Sequence, residues 1–379
     1  MKFTGEDKMT TQIHEVPLLD LQRQYQGIEE KVLDAFKEVL ASKQFILGPK
    51  VDQLETEMAA YTEAKYAIGV SSGTDALVLA LMALNIGPGD EVITTPFTFF
   101  ATAGSIHRVG AKPVFVDIDE TYNIDVTKIE EKITANTKAI MPVHLFGQMA
   151  NMEVIMSIAE KYKLAVIEDA AQAIGSKAPY KGQLRQAGSI GTIGCFSYFP
   201  SKNLGCCGDA GLVTTNDESL AQTIKLIRVH GAEKRYHHKL VGGNFRIDPI
   251  QAAVLSIKLP FLNQQHELRR KNAEFYKSHL LGGVQQPIIK ENYYMIYNQY
   301  TIRSKNRETL IEKLVKHHIG HAVYYPIPLH LQECFAYLGH QKGDFKNAEL
   351  AANEVLSLPI FSELEESELR YVCEIINTN

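Results

Sequence analysis

A chain of 379 residues with 45% hydrophobic and 22% charged content has the length for a large core and the composition of a globular enzyme. Its net charge of −5 excludes a general nucleic-acid binder, which would carry a basic stripe. No apolar stretch approaches the roughly 20 residues that a bilayer span requires, so no membrane partner is expected.

The N-terminus, Met1-Lys-Phe-Thr-Gly-Glu-Asp-Lys8, has no apolar signal region, and the first dozen residues are polar and expected to be poorly ordered. The five cysteines, Cys195, Cys206, Cys207, Cys334 and Cys373, are odd in number and fit no zinc spacing. They read as free thiols in a reducing cytoplasm.

A short apolar run at 66–70 predicts the first strand, and Ala and Leu at helical spacing predict a helix over 74–85. Between them lies Ser71-Ser72-Gly73-Thr74-Asp75. Gly73 lets a ligand approach the backbone, and a helix start offers free N–H groups and a positive dipole end, which suit phosphate. Taken alone, the same motif is a plain Ser/Thr helix cap. A turn at 87–90 leads to a strand at 91–95, followed by Pro96-Phe-Thr-Phe-Phe-Ala-Thr102. Aromatics in such a run are usually core, but one could stack on a planar ring, and Phe99 is the candidate.

Further strands are predicted at 112–117, 139–145, 164–169, 194–198 and 211–215, with helices at 152–162 and 220–230. The alternation implies an α/β fold, a mostly parallel sheet with helices on both faces and ligands at the carboxyl ends of strands. Asp169 closes the apolar strand in Ala165-Val-Ile-Glu-Asp-Ala-Ala-Gln172. A carboxylate there needs a partner. A helix cap is one reading, and a protonated pyridine nitrogen is the other. Gln172, one turn on, could bond a ring hydroxyl. Lys202 lies in Gly194-Cys-Phe-Ser-Tyr-Phe-Pro-Ser-Lys-Asn-Leu-Gly205, among small residues and aromatics. A lysine in such a setting can form an imine with a carbonyl cofactor, and with Asp169 it suggests pyridoxal phosphate chemistry. Burial would lower its pKa and make it a usable proton shuttle. Ser197, five residues earlier, is a second phosphate candidate. Gly242-Gly-Asn-Phe-Arg-Ile-Asp248, preceded by Tyr236-His237-His238, places Asn244 and Arg246 on a loop suited to phosphate and polar substrate.

From Pro249 the texture changes, with helices at 249–259 and 264–280, a strand at 297–302, a helix at 307–317 and a closing helix at 347–356. The chain therefore divides into a large domain, 1–260, and a smaller α+β domain, 261–379. His317, His318 and His321 have no well-spaced carboxylate or Cys partner, so no metal is expected. Gly188, Gly191 and Gly194 do not make the dinucleotide fingerprint, and neither a P-loop nor a serine-hydrolase elbow occurs.

An ordered set of motifs carries a family resemblance. It comprises Phe45-Ile-Leu-Gly-Pro49, Ser72-Gly-Thr-Asp-Ala-Leu77, Gly87-Pro-Gly-Asp-Glu-Val-Ile93, Pro142-Val-His-Leu-Phe-Gly147, Glu168-Asp-Ala-Ala-Gln172, Ser201-Lys-Asn-Leu-Gly205, Gly243-Asn-Phe-Arg246, Gln251-Ala-Ala253 and Tyr324-Tyr-Pro-Ile-Pro-Leu-His330. From about Val16 to about Ile375 the chain resembles the DegT-type nucleotide-sugar aminotransferases, a branch of the fold-type-I pyridoxal phosphate enzymes. The resemblance implies a seven-stranded, mostly parallel sheet between helices. It implies Lys202 as the amine that bonds the cofactor and shuttles the proton, Asp169 on the pyridine nitrogen, Gln172 on the ring oxygen and Phe99 on the ring face. Gly73, Thr74 and Ser197 would bind phosphate, and Asn244 the phosphate of the other subunit of a homodimer with shared active sites. Arg246, His237, Tyr325 and His330 would line the sugar-nucleotide side.

The implied reaction takes the amino group of L-glutamate, leaves 2-oxoglutarate, and aminates a keto sugar on a nucleotide. The runs Ser201–Asp209 and Tyr236–His238 resemble members acting at carbon 3, several on UDP-linked 2-acetamido sugars for surface polysaccharide or lipopolysaccharide. Amination at carbon 4, or of a dTDP-3-keto-6-deoxyhexose, is the alternative. Ala210 and Thr192 depart from the usual Gly and Asp, and 177–186 is slightly long. A 3-dehydratase would carry His in place of Lys202. A non-catalytic regulator is opposed by the intact Lys202, Asp169 and Gln172.

Overall fold

The computed structural model describes residues 15–378, so the expectation about the first dozen residues lies outside the described part. Strands β1 (Tyr66–Val70), β2 (Glu91–Thr94), β3 (Lys112–Phe115), β4 (Thr137–Ile140) and β5 (Ala165–Asp169) are followed by a hairpin, β6 (Lys177–Tyr180) and β7 (Gln183–Gln186). Then come β8 (Ile193–Ser197) and β9 (Gly211–Thr215). The central sheet has seven strands in the order β1-β9-β8-β5-β4-β2-β3. Only β9 runs against its neighbours, so the expected mostly parallel seven-stranded sheet is present. The slightly long segment at 177–186 is the β6–β7 hairpin.

Both faces of the sheet are covered, because successive strand residues enter opposite apolar clusters. Val166 packs with Ile93, Ile140, Phe196 and Leu212 on one side. Ile167 packs with Val92, Ala139, Ile193 and Val213 on the other. Strand period two, with no polar face, leaves the carboxyl ends as the place where polar side chains can open. Asp169 and Ser197 are the last residues of β5 and β8.

Short strands β10 (Ala232–Lys234) and β11 (His237–His238) make an outlying ribbon. Toward the C-terminus, helices Pro249–Lys258 and Leu262–His279 precede an antiparallel pair, β12 (Tyr300–Arg303) with β13 (Val355–Leu358). Helices Arg307–Lys316, Lys346–Glu354 and Glu366–Asn377 complete this region.

Several expected boundaries differ. The helix expected over 347–356 stops at Glu354, because Val355–Leu358 is wholly buried and pairs with β12. The last helix is instead Glu366–Asn377, opened by a reciprocal cap between Glu365 and Glu368. The strand expected over 139–145 ends at Ile140, and the chain turns sharply at Phe146 and Gly147, with φ of 57° and 94°. The strand expected over 297–302 is Tyr300–Arg303. Helices Glu29–Ser42 and Pro49–Thr62 fall where no element is expected. Among the described residues no helix is long and apolar enough to cross a membrane.

Edge strand β1 is held by a buried ion pair. Arg228 Nη1 lies 2.5 Å from Glu55 Oε1 and donates to the Gly69 carbonyl at 3.0 Å. The same Glu55 oxygen accepts the Gly69 N–H at 2.9 Å. Removing one partner of such a pair leaves an uncompensated buried charge. Glu55→Ala should therefore cost about 3–5 kcal/mol of stability, read as a lower urea midpoint at unchanged slope. A wild-type midpoint would show that the pair contributes nothing.

Candidate active site

The site is assembled by sheet register. Gly211 of β9 pairs with Val70 of β1 on one side and Ser197 of β8 on the other. This row sets the Ser71–Thr74 turn beside the end of β8. Helix Gly73–Ala83 is capped by the Ser72 side chain, which accepts the Asp75 N–H at 3.0 Å. The N–H groups of Gly73 and Thr74, in the first turn, have no intrahelical acceptor. A Cβ on Gly73 would stand 2.6 Å from Ser197 Cβ, so only glycine permits this approach.

Asp169 pairs in register with Cys195 of β8. Its buried carboxylate accepts the Thr102 hydroxyl on Oδ2 at 2.7 Å and the Ala171 N–H on Oδ1 at 3.2 Å. Thr98 extends the chain, 3.0 Å from Thr102 Oγ1. Two donors leave a carboxylate under-satisfied. Burial raises the Asp169 pKa, while Thr102, Ala171 and the charge of Lys202 pull the other way without cancelling it. A cationic N–H donor is the partner such a group lacks.

Lys202 keeps partial exposure, yet burial draws its ammonium down to about 8 against the attraction of Asp169. None of the described residues accepts a hydrogen bond from its Nζ. Gln172 Oε1 accepts the Phe146 N–H at 2.8 Å, and Gln172 Nε2 donates to the Tyr325 hydroxyl at 3.1 Å. The Tyr325 ring sits 6.2 Å from both Phe97 and Phe99, and burial raises its phenol pKa. Gly73, Thr74, Phe99, Asp169, Gln172, Ser197 and Lys202 thus lie at or after the carboxyl ends of β1, β2, β5 and β8, and Tyr325 reaches them through Gln172.

The remaining expected site residues are held by loops and short strands. Arg246 is partly buried beside Val70 through an isolated backbone bridge. Asn244 is exposed, with its backbone against Val229. His237 is exposed on β11. His330 is buried, with Nε2 3.1 Å from Glu349 Oε1, and burial lowers its pKa despite that bond.

Sequence reading passed over Thr102, although it closes the aromatic run already singled out. It also passed over the neighbour of Asp169. Glu168 faces the opposite side of β5, within 2.9 Å of His144 Nε2, and accepts N–H groups from Gly188, Ile190 and Gly191. Burial works against its charge, but His144 and these amides hold it below the usual carboxylate range. His144 Nδ1 accepts the Ala150 N–H at 3.1 Å, so the ring proton sits on Nε2.

The residues fit pyridoxal phosphate. An under-satisfied buried carboxylate awaits a cationic nitrogen, an unpartnered amine awaits a carbonyl, and free amides beside a serine await a phosphate. Such a site at the carboxyl ends of such a sheet is that of a pyridoxal phosphate-dependent enzyme. The model of the DegT/DnrJ/EryC1/StrS aminotransferase family matches residues 26–377, and the chain belongs to that family. It is 50% identical over 95% of its length to a Geobacillus stearothermophilus protein named pleiotropic regulatory protein, 97% of which is covered. It is 44% identical over 94% of its length to the UDP-2-acetamido-2-deoxy-3-oxo-D-glucuronate aminotransferase of Pseudomonas aeruginosa, 98% of which is covered. The crystal structure of NtdA from Bacillus subtilis with bound cofactor PMP superposes with a TM-score of 0.89 at 33% identity, covering 97% of this chain and 87% of that one.

Two outcomes follow from this geometry. The neutral amine of Lys202 is the form that captures a carbonyl. At pH 7 it is about one-tenth of the population for a pKa about 8, against roughly one in 2,500 for an ordinary lysine. Capture of pyridoxal phosphate by the apoprotein should accelerate up to about pH 8 and then level off. A rate still climbing through pH 10 would contradict the burial effect. Gly73→Ala should force the helix start away from Ser197 and weaken cofactor binding by about tenfold or more, measured by fluorescence titration. Unchanged affinity would remove Gly73 from the phosphate site.

Proposed function

We propose that this chain transfers the amino group of L-glutamate to a keto sugar carried on a nucleotide, a UDP-linked 2-acetamido-3-keto hexose, leaving 2-oxoglutarate. The observation that carries this reading is an amine lowered to about 8 and a buried, under-satisfied carboxylate at the carboxyl ends of the paired strands β8 and β5. The Pseudomonas relative, acting on a UDP-linked 2-acetamido-3-oxo sugar, supports the choice of sugar.

Bound pyridoxal phosphate supplies a carbonyl that accepts an amino group and a ring that withdraws electrons from the reacting carbon. The chain's residues do the remaining work. Asp169 keeps a proton on the ring nitrogen. Gly73, Thr74 and Ser197 would hold the phosphate, Gln172 would bond the ring oxygen, and Phe99 would stack on the ring. Lys202 Nζ, its pKa lowered to about 8, would be the group that accepts and returns the proton. In this reading Arg246, His237, Tyr325 and His330 line the sugar-nucleotide side, with His330 Nε2 3.1 Å from Glu349 Oε1.

The working assembly in this reading is a homodimer with shared active sites. Phe99 is 57% exposed in the single chain, and Asn244 is exposed with no hydrogen bond to its side chain among the described residues. Both support a second copy closing the site, with Asn244 reaching the other cofactor's phosphate. In this reading the described residues up to 260 belong to the cofactor domain and those from 261 to a smaller domain. The product is a 3-amino sugar for surface polysaccharide or lipopolysaccharide, made in the cytoplasm.

The name of the Geobacillus relative favours a second reading, a regulator that binds the cofactor without turnover. The intact Lys202, Asp169 and Gln172 favour catalysis. A panel of 3-keto and 4-keto sugars on UDP and dTDP, offered to the aminated cofactor form, separates the two. The UDP-2-acetamido-3-keto sugar should restore the cofactor's visible absorbance fastest, and Lys202→Ala should abolish it. Preference for a 4-keto or dTDP sugar would overturn the substrate, and no response to any sugar would favour the regulator.

A further inference from the structure

The residue after Lys202 is a buried asparagine that no cofactor or substrate role uses. Asn203 is 2% exposed. Its Nδ2 donates to the Ile296 carbonyl at 3.2 Å, and its Oδ1 accepts from Asn298 Nδ2 at 2.8 Å. A carbonyl can only accept, so the Ile296 contact fixes which way the Asn203 amide points. Asn298 must then offer its own amide nitrogen.

Asn298, 8% exposed, is also tied to the other wall of the site. Its backbone N–H donates to the Phe146 carbonyl at 3.0 Å. The Phe146 N–H in turn donates to Gln172 Oε1 at 2.8 Å. An unbroken path therefore runs from the neighbour of Lys202, through Asn203, Asn298 and Phe146, to Gln172. Gly147 makes the path possible, because its φ is 94° and a Cβ there would stand 2.9 Å from the Asn298 nitrogen. The Ile296 N–H closes the turn on the Gly147 carbonyl at 3.1 Å.

The far end of the Lys202 loop is held separately. Buried Lys258 donates to the Gly205 carbonyl at 2.7 Å and to Gln24 Oε1 at 3.0 Å. Only the Asn203 amide, among these restraints, joins the Lys202 loop to the segment that holds Gln172.

We propose that Asn203 and Asn298 are positioning residues, a carboxamide pair that sets the Lys202 amine against the ring edge marked by Gln172. The proposal rests on the cofactor roles given to Lys202 and Gln172 above. Proton transfer depends steeply on placement, so loss of the pair acts on rate more than on binding.

The test uses full-length wild type, N203A, N298A and the double variant, each at a temperature where circular dichroism shows it folded. Single-turnover reaction with saturating L-glutamate should slow by about 10–100-fold in either single variant, with little change in glutamate KM. The double variant should lose no more than the worse single one, because both substitutions break one path. Capture of pyridoxal phosphate by the apoproteins, fixed with borohydride and mapped to Lys202 by mass spectrometry, should slow in parallel. If N298A does not fold, N203A alone decides. Wild-type single-turnover and capture rates in the variants, or a double loss equal to the product of the single losses, would overturn the pairing. Label on wild-type Lys202 keeps the cofactor reading intact in that event, whereas its absence would overturn both.

Discussion

A charge at the end of a strand buried on both faces is the constraint around which this molecule is arranged. Asp169 cannot reach solvent, because helices cover both sides of β5. Its burial is tolerable only with donors, and the chain provides two, the Thr102 hydroxyl and the Ala171 N–H. The remaining deficit is what makes the position useful. A site that satisfied this carboxylate fully would have no affinity left for a ring nitrogen. Lys202 is subject to the complementary condition, since the same burial that raises Asp169 lowers its ammonium. Neither group can ionise without the other registering it.

Glu168 is the control built into the same strand. It is as buried as Asp169 and one residue away, on the opposite face. There the chain supplies His144 and three backbone amides, and the carboxyl group is held as an anion. Those amides belong to the turn at 188–191, so Glu168 fastens the connection that leads into β8 and on to Lys202. Adjacent acidic residues with opposite degrees of satisfaction therefore serve opposite ends, one structural and one chemical. The contrast argues that the shortage at Asp169 is a property of the site and not of burial in general.

What the sequence disclosed follows the same physics. The central strands were readable because each is a short run of Val, Ile and Phe bounded by turn residues. Asp169, Ser197 and the Gly73 turn were readable because polar residues ending such runs have few other reasons to be there. The failures come where a local pattern competed with tertiary pairing. Val355-Leu-Ser-Leu358 continues a helical stripe on paper, but β12 recruits it as a strand. The Glu365–Glu368 cap that opens the last helix is a local signal that was present and passed over. The Phe146–Gly147 turn needs left-handed backbone at a phenylalanine, which no propensity would suggest. Asn203, Asn298 and His144 could not be found by spacing at all, since their partners are distant in the chain and meet only on folding.

The residues proposed for the cofactor and those proposed for the sugar differ in how they are held, and this bears on which can vary. Asp169 and Ser197 are fixed by sheet register, so moving either requires moving a strand, and Gly73 opens the helix that follows β1, with no room for a Cβ against Ser197. His237 sits on a two-residue strand, Arg246 on an isolated bridge, and Tyr325 on a loop steadied by Gln172. Loop positions tolerate insertion and substitution with little cost to the core. A fold of this kind can therefore keep one amino-transfer chemistry while changing the sugar it receives. Tyr325 is the exception among the sugar-side group. Its hydroxyl bonds the residue assigned to the cofactor ring, so a change there reaches both halves of the site, whereas changes at His237 or Arg246 do not touch Gln172.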